Sequence, residues 1–386
     1  MPYLDLIPAS GIRKIFDRAS ELEGQGKRIL HLEIGRPDFD SPSSAKAAVM
    51  TALNEGRVHY TENRGIPKLR RLIAEKLRDD NNLHYDPESE IVVTNGTSEG
   101  VAMAMAALAG PGDEVIVPTP SWSHYVSCAT LFGATPVELA LKADNDYQLT
   151  REAVEKLVSE RTRVLVVNTP NNPSGAVYPE KELRSILELC LERSIYILSD
   201  EIYDYFCFGG ERHVSIAALP NAKPICVVAN GFSKTYSMTG WRLGYVASSA
   251  EIAAKLNKAH QYLTVCANSF AQHGACAALA DDEGRQFLEK MTESFERRWR
   301  ITNQLLSEIK CLRLPRSAGA FYAFPSFDYK GMSADQLCAY LLEEGGVATV
   351  PGTAFGEAHK DAFRIAYSVN ETELAEALTI IKNLLA

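Results

Sequence analysis

The sequence predicts an α/β fold with two parts: a large domain, whose mostly parallel β-sheet is flanked by helices, and a smaller α+β domain. From about residue 90 to about residue 250, short apolar runs alternate with amphipathic helical stretches, which is the pattern of βα units in a parallel sheet. Beyond this region the pattern changes to a long helical stretch and then to isolated short strands. A chain of 386 residues also exceeds the usual size of a single hydrophobic core.

Six apolar runs are the predicted strands of the large sheet: Ile91–Thr94, Glu114–Pro118, Arg163–Asn168, Ile195–Ser199, Ile225–Asn230 and Gly244–Ser248. The turn Gly110–Asp113 separates the Ala- and Met-rich helix after Ser98 from the following strand, because Gly and Pro interrupt regular structure. Two later runs, Phe321–Phe324 and Phe363–Tyr367, are predicted strands of the smaller domain.

The predicted domain boundaries follow from these changes in pattern. The first 45 residues show no repeated βα pattern, so residues 1–45 are expected to join the small domain and the cleft beside it. Residues 46–284 are expected to form the large domain, and residues 285–386 the small C-terminal domain.

Composition narrows the classes of partner. The formal net charge of −9 and the absence of clustered Lys and Arg argue against a nucleic-acid surface. No apolar run reaches the roughly 20 residues that a membrane span needs, and residues 1–14 lack the pattern of a secretory signal. The eight cysteines are scattered, without C-x-x-C pairs or zinc-site spacing, so we expect reduced thiols and no metal site. Small-molecule partners and a cytoplasmic location are therefore expected.

Polar segments follow four of the predicted strands. In an open α/β sheet the ligand crevice lies at the carboxyl ends of the strands, where loops lead into helices. The segments that stand there are Asn95–Ser98, Asn168–Pro173, Asp200–Glu201 and Gly231–Lys234. We therefore expect a binding site at this rim of the sheet.

The first segment joins a strand to a helix through Thr97 and Ser98. Free backbone N–H groups at a helix start, the helix dipole and two hydroxyls favour an anion such as phosphate. A plain helix N-cap with a tight turn explains the same residues equally well. Both interpretations remain open at this level.

Three charged residues complete the rim. Lys234 and Arg242 provide an amine for a carbonyl compound and a cation for phosphate, although a solvated lysine and a structural ion pair are the simpler interpretations. Asp200 follows a buried strand and places a carboxylate at the floor of the crevice, where it could keep a pyridine nitrogen protonated or cap the next helix.

Together these segments resemble the class I/II (fold-type I) aminotransferases, which depend on pyridoxal 5'-phosphate (PLP). The resemblance rests on Thr94–Thr97, Asn168–Gly175, Ser199–Tyr203 and Phe232–Gly244, which occur in the order that the family shows. It extends from Gly35–Phe39 to Phe363–Tyr367, and thus over nearly the whole chain. By this resemblance the large domain is the PLP-binding domain.

The resemblance assigns roles around the cofactor. Lys234 is expected to carry PLP as a Schiff base and to act with Asp200 and Tyr203 as the catalytic residues. The residues expected to bind the cofactor are Thr97, Ser98, Trp122, Asn172, Asp200, Tyr203, Ser233, Lys234, Arg242 and Tyr60. Without the resemblance, Trp122 would be interpreted as a core residue.

The resemblance also implies a substrate site and a dimer. Arg364 matches the arginine that binds the substrate α-carboxylate, with Gly35 and Asn172 beside it. Alone, Arg364 would be interpreted as a surface ion pair. Tyr60 matches a tyrosine that reaches the phosphate of the neighbouring subunit, so a homodimer with shared active sites is expected, although a packed loop tyrosine is the simpler interpretation.

The expected activity is transfer of an amino group from an L-amino acid to a 2-oxo acid, as in amino acid metabolism. PLP-dependent elimination, replacement or cyclisation on the same fold is the alternative, because fold alone does not determine the reaction. The side-chain specificity stays open. Arg36, Arg64 and His124 lie near site segments in sequence only, and Ser121 stands where relatives often carry tyrosine.

Overall fold

The computed structural model describes residues 3–7 and 11–386. Its α-helices are α1 (Gly11–Gly24), α2 (Ser43–Asn54), α3 (Pro67–Asn81), α4 (Thr97–Leu108), α5 (His124–Leu131), α6 (Arg151–Glu155), α7 (Glu180–Arg193), α8 (Ala250–Leu263), α9 (Ser269–Ala280), α10 (Asp282–Ser307), α11 (Ala334–Gly345) and α12 (Glu371–Leu384). Short 3₁₀ helices lie at Tyr3–Leu6, Ala143–Asn145, Ile216–Ala218, Thr239–Trp241 and Gly352–Phe355.

The β-strands are β1 (Leu30–His31), β2 (Ile91–Thr94), β3 (Glu114–Thr119), β4 (Thr135–Ala140), β5 (Thr162–Asn168), β6 (Tyr196–Asp200), β7 (Cys226–Gly231), β8 (Gly244–Ser248), β9 (Leu312–Arg313), β10 (Tyr322–Ala323), β11 (Ser326–Phe327), β12 (Val347–Ala348), β13 (Val350–Pro351) and β14 (Phe363–Ala366). Every strand predicted from the sequence is present, with ends that differ by at most one residue.

Seven strands form one large sheet in the order β2-β8-β7-β6-β5-β3-β4. All of its pairs are parallel except those of β8, which runs antiparallel to β2 and β7. The prediction of a mostly parallel sheet flanked by helices is confirmed. Because the parallel strands end at one edge, the polar segments after β2, β5, β6 and β7 meet there.

The sheet is covered on both faces. Val92 and Val93 are neighbours in β2, and their side chains enter two different apolar clusters because successive side chains point to opposite faces of a strand. Burial on both faces requires nearly continuous apolar runs, which is why these strands are visible in the sequence.

Strand β4 was not predicted. It pairs only with β3 at the edge of the sheet, and its residues are exposed or half-buried. An edge strand with one neighbour does not need a continuous apolar run, and Pro136 near its start lowers the strand signal further.

The C-terminal third builds smaller sheets. Strands β10, β14 and β13 form an antiparallel sheet, β9 pairs with β11, and α10, α11 and α12 contribute to the apolar cluster beside them. Helix α11 begins at a capping box between Ser333 and Gln336 and ends at Gly346, whose φ is 65°.

The N-terminal segment reaches this region through β1, which pairs in parallel with β12. The chain then passes from β1 directly to Gly35 and Arg36 at the cleft. The domain boundaries at residues 45 and 284 stay predictions, and the second of them falls within the first turn of α10. Across residues 3–7 and 11–386, no helix combines the length and apolarity that a membrane span requires.

Candidate active site

A cavity of about 900 Å³ lies at the carboxyl ends of the parallel strands. The large sheet supplies one wall, and the other wall comes from α1, the segment after β1, and strands β10 and β14. The predicted site residues that line it are Gly35, Thr97, Ser98, Trp122, Asn172, Asp200, Tyr203, Ser233, Lys234, Arg242 and Arg364. Tyr60 is the predicted site residue that the cavity does not include.

Lys234 lies in the turn that follows β7 and lines the cavity. Its Nζ donates a hydrogen bond of 2.6 Å to the carbonyl oxygen of Gly35, which belongs to the opposite wall. Burial, together with the nearby charges of Arg364 and Arg242, lowers the pKa of Lys234 to about 8. Roughly a tenth of this amine is therefore neutral, and thus nucleophilic, near pH 7, far more than for an ordinary lysine.

Asp200 is the last residue of β6 and is 1% exposed. The Tyr125 hydroxyl donates to its Oδ2 at 2.7 Å, and the Ile202 amide donates to its Oδ1 at 3.2 Å. Burial raises the pKa of Asp200 to about 6. The Ile202 bond belongs to a turn rather than to a helix start, so the helix-cap interpretation of Asp200 is not supported.

The N-terminus of α4 opens into the cavity. Its N-cap is Gly96, with φ of 79°, so no side chain caps the first turn. Arg242 packs against this glycine: a Cβ there would lie 2.7 Å from Nη2 of the guanidinium. Among the described residues Arg242 forms no ion pair with a carboxylate, so an uncapped helix start and an arginine face the same space.

Close backbone packing holds this corner of the site. The Thr97 hydroxyl donates to the carbonyl oxygen of Asn230, at 3.0 Å, and so ties α4 to the end of β7. A Cβ at Gly244 would lie 2.6 Å from the backbone nitrogen of Thr97 and 2.9 Å from the Asn230 oxygen. Glycine is therefore required at the start of β8 for the helix start to lie where it does.

Arg364 projects from β14 and is 3% exposed. Its Nη1 donates to Oδ1 of Asn172 at 3.0 Å, and its Nη2 donates to the carbonyl oxygen of Glu33 at 2.5 Å. Among the described residues it forms no ion pair with a carboxylate. The surface ion pair that Arg364 alone would suggest is thus not what the structure contains.

Trp122 lines the cavity with a half-buried indole ring. The His124 ring stacks on it, with centroids 4.4 Å apart and planes 25° apart, and Tyr125 meets it edge-on at 5.7 Å. His124 Nε2 also donates to the carbonyl oxygen of Ser98 at 3.0 Å, and burial lowers the pKa of this imidazole. His124 therefore lies behind the cavity wall, where it contacts both Trp122 and the start of α4.

Tyr60 projects away from the cavity of its own chain and is 85% exposed. Tyr262, in the last turn of α8, and Val265, in the loop that follows, are 80% and 47% exposed. The side chain of Asn63 donates to the carbonyl oxygen of Val265 and joins the two loops. These apolar side chains form an exposed patch beside the Tyr60 loop.

Sequence reasoning missed two aromatic neighbours of the site, Tyr125 and Tyr322. Tyr125 lies in the first turn of α5, and its short distance in sequence from Trp122 was the signal that could have identified it. His124 was named only for its position in sequence. Tyr322 carried no local signal, and the structure places its hydroxyl 2.8 Å from that of Tyr203.

The structure also separates the residues considered for side-chain specificity. Arg13, Phe16 and Arg36 line the cavity, whereas Arg64 lies elsewhere and donates to the carbonyl oxygen of Ser89 at 3.0 Å. Ser121 is buried, and its amide donates to the Phe355 carbonyl oxygen at 3.0 Å.

The chemistry of this residue set fits PLP. The uncapped first turn of α4 and Arg242 suit a phosphate, and the buried Asp200 suits a protonated ring nitrogen. Tyr203 presents a hydroxyl and Lys234 an amine whose pKa favours reaction with an aldehyde.

Comparison with known proteins agrees with this fit. The family model for aminotransferases of class I and II matches residues 27–381. A probable aspartate/prephenate aminotransferase of Aquifex aeolicus is 41% identical over 95% of this chain and 94% of its own length. An aromatic-amino-acid aminotransferase of Thermococcus litoralis is 37% identical over 99% and 97%. A solved aspartate aminotransferase of Thermus thermophilus with maleate has a TM-score of 0.94, is 33% identical and covers 100% of this chain and 99% of its own.

The family model spans most of the chain, and these relatives exceed 30% identity over nearly their full lengths. The large sheet of this chain and the cavity chemistry described above point the same way. The chain belongs to the class I and II aminotransferases, which are PLP-dependent enzymes.

Proposed function

We propose that Lys234 is the attachment point for PLP and the proton carrier of this aminotransferase, which moves an amino group from an L-amino acid to a 2-oxo acid. One observation carries the proposal: Lys234, Asp200 and Arg364 reach the same cavity from three separate parts of the chain. They supply an amine, a carboxylate for the cofactor ring and a cation for the substrate.

The other cavity residues would each bind a different part of the cofactor. Thr97, Ser98, Ser233 and Arg242 would hold its phosphate at the start of α4. Asp200 would keep the ring nitrogen protonated, Tyr203 and Asn172 would bind the phenolic oxygen, and Trp122 would cover the ring. When bound, PLP supplies an electron sink that stabilises negative charge at the substrate α-carbon.

Lys234 is suited to move the α-proton. Its pKa of about 8 leaves part of the free amine neutral near neutral pH, so Nζ can accept a proton from the α-carbon and return it to a neighbouring atom. The hydrogen bond to Gly35 keeps this nitrogen at the wall where substrate enters. A buried base of this kind also works in a space from which water is largely excluded.

Arg364 would bind the substrate α-carboxylate. A guanidinium grips a carboxylate through two parallel N–H bonds, and the fork of Arg364 is aimed into the cavity wall by Asn172 and Glu33. Binding of a carboxylate would also compensate a buried charge that has no anionic partner among the described residues.

We further propose a dicarboxylic amino acid, such as aspartate or glutamate, as the preferred amino donor. Two more cations, Arg13 and Arg36, line the cavity beside Arg364. Arg13 is paired with Asp17 at 3.3 Å, but Arg36 has no acidic partner among the described residues and could meet a distal carboxylate. The Thermus relative, an aspartate aminotransferase with the dicarboxylate maleate, supports this choice.

An aromatic donor is the second candidate for the substrate class. The relative from Thermococcus litoralis acts on aromatic amino acids by its name, and Phe16 lines the same cavity. A direct comparison of aspartate and phenylalanine as donors decides between the two classes.

A homodimer is the third element of the proposal. Tyr60, which the resemblance assigns to the neighbouring subunit's phosphate, is 85% exposed beside an apolar patch. An exposed aromatic on such a patch is typical of an interface. The cytoplasmic location expected from the sequence remains a prediction.

A half-reaction tests the proposed reaction. The PLP-loaded enzyme is mixed with an amino donor alone, and its absorbance should shift from the visible to the near ultraviolet. Adding an oxo acid should reverse the shift, with new amino acid and new oxo acid formed in equal amounts. Catalytic release of ammonia or another group without any oxo acid would instead support the elimination, replacement or cyclisation alternative.

A further inference from the structure

Tyr322 lies between two groups that the proposed function uses separately. Its hydroxyl shares a hydrogen bond of 2.8 Å with the Tyr203 hydroxyl, and its ring lies 4.6 Å from the guanidinium carbon of Arg364. The side chain comes from β10, is 1% exposed and lines the cavity. One residue therefore touches both the side chain assigned to the cofactor and the side chain assigned to the substrate.

A third contact places Tyr322 beside Lys234. A Cβ on Gly35 would overlap with the Tyr322 hydroxyl, and the carbonyl oxygen of Gly35 accepts the hydrogen bond from Lys234. The absence of a side chain at Gly35 thus leaves the space that Tyr322 fills. The aromatic ring of Tyr322 also meets that of Tyr203 edge-on, with centroids 5.7 Å apart, which limits the movement of both rings.

The surroundings of Arg364 explain why a ring is needed there. A buried guanidinium without an anion is unfavourable, and its Nε has no hydrogen-bond partner among the described residues. The rings of Tyr322 and Phe355 lie 4.6 and 4.9 Å from the guanidinium carbon and offer it their negative faces. These contacts hold the Arg364 guanidinium in place before the substrate carboxylate binds.

The hydroxyl of Tyr322 has a different task. Two hydroxyls that share one hydrogen bond leave one proton for a second acceptor. If Tyr322 donates to the oxygen of Tyr203, the Tyr203 proton is free to point into the cavity, and donation in a chain strengthens each bond.

We propose that Tyr322 is a positioning residue that orients Tyr203 through its hydroxyl and Arg364 through its ring. The proposal rests on the proposed function, because it assumes that Tyr203 binds the cofactor and Arg364 the substrate. Its two halves use different parts of one side chain, so two substitutions separate them.

Tyr322→Phe removes the hydroxyl and keeps the ring. The visible absorbance band of the PLP-loaded enzyme is titrated with pH, because this band reports the proton held near the phenolic oxygen of the cofactor. Weaker donation by Tyr203 should raise the midpoint by a few tenths of a pH unit. The titratable groups facing Tyr322 are Tyr203, Arg364 and Tyr367, and this variant keeps all three side chains while it removes the hydrogen bond to Tyr203. The KM for the amino donor should stay within about twofold.

Tyr322→Leu removes the ring as well. The KM for the amino donor should then rise by about 3- to 30-fold, while the dissociation constant of PLP stays within about threefold. Tyr367→Phe is the matched control: Tyr367 is equally buried, its hydroxyl donates to the Ala320 carbonyl oxygen at 3.4 Å, and it does not line the cavity. It should change neither measurement.

The outcomes separate this inference from the proposed function. A wild-type enzyme without a PLP band or half-reaction would overturn the proposed function itself. A normal wild type with an unchanged midpoint in Tyr322→Phe would overturn the role of the hydroxyl. Equal changes in Tyr322→Phe and Tyr367→Phe would show a general packing effect and would also overturn it. If Tyr322→Leu does not fold, the Phe variant still decides the first half, and Tyr322→Met repeats the KM test with a similar volume and no ring.

Discussion

The guanidinium of Arg364 donates to the side-chain oxygen of Asn172 over 3.0 Å, although 192 residues separate them in the chain. Asn172 follows β5 of the large sheet, and Arg364 lies in β14 of the C-terminal region. The bond joins the two walls of the cavity at the point where the substrate carboxylate is proposed to bind. A change of Arg364 should therefore affect substrate binding before cofactor binding.

Arg364→Lys tests that expectation. Lysine keeps the positive charge but loses the planar fork, so amino-acid affinity should fall by on the order of 2–3 kcal/mol, or about 30- to 150-fold. PLP occupancy, measured from absorbance, should survive. Loss of the cofactor instead of substrate affinity would show that Arg364 is a structural residue.

Borohydride reduction tests the assignment of Lys234. Reduction of the PLP-loaded enzyme should abolish the visible band and leave the cofactor covalently on the peptide that contains Lys234, because this lysine is buried in the cavity. Lys223 is a lysine with a different environment, paired with Glu90 at 2.7 Å, and provides an internal control peptide. Label on a lysine other than Lys234 would contradict the assignment.

The lowered pKa of Lys234 predicts how the enzyme without PLP takes up its cofactor. Only the neutral amine reacts with an aldehyde, and an ordinary lysine is neutral above about pH 10.4. Because the pKa of Lys234 is about 8, the neutral fraction rises as the pH rises through that value. The rate of PLP incorporation should therefore increase with a midpoint near pH 8 and then level off. A midpoint at about pH 10.4, the value for an ordinary lysine, would contradict this prediction.

Mixed dimers test whether Tyr60 completes a neighbouring site. Tyr60→Phe and Arg364→Ala are made on separate chains. Each variant by itself must first show a severe loss of activity. In the heterodimer, one site receives an intact Tyr60 from its partner and keeps its own Arg364. With free exchange about one site in four should recover. Exchange without recovered activity would count against shared sites.

Gly244→Ala tests the packing behind the phosphate corner. Its new Cβ would lie 2.6 Å from the backbone nitrogen of Thr97, so the first turn of α4 has to shift. The free energy of unfolding should fall by about 1–3 kcal/mol, and PLP affinity should fall with it. Gly240→Ala is the matched control, because nothing lies within 4 Å of its Cβ, and its effect should stay within about 0.5 kcal/mol. Equal effects of the two changes would contradict this account.

Local patterns in the sequence determined much of this protein. The central parallel strands of the large sheet are buried on both faces, so their apolar runs and the polar segments after them could be predicted, and with them the rim that carries Asp200 and Lys234. The residues of the family motifs are likewise local in sequence. Strand β4 could not be predicted from the sequence, because an edge strand with one neighbour needs no apolar run.

Only the tertiary structure decided which residues meet. A local pattern records that a residue is buried but not which distant residue it contacts, so neither the Tyr322–Tyr203 hydrogen bond nor the Arg364–Asn172 hydrogen bond has a signal in the sequence. The same limit applies to Asp200, whose carboxylate is held by Tyr125 at 2.7 Å. Burial, which shifts the pKa of Asp200 and of Lys234, arises only when the two walls of the cavity pack together.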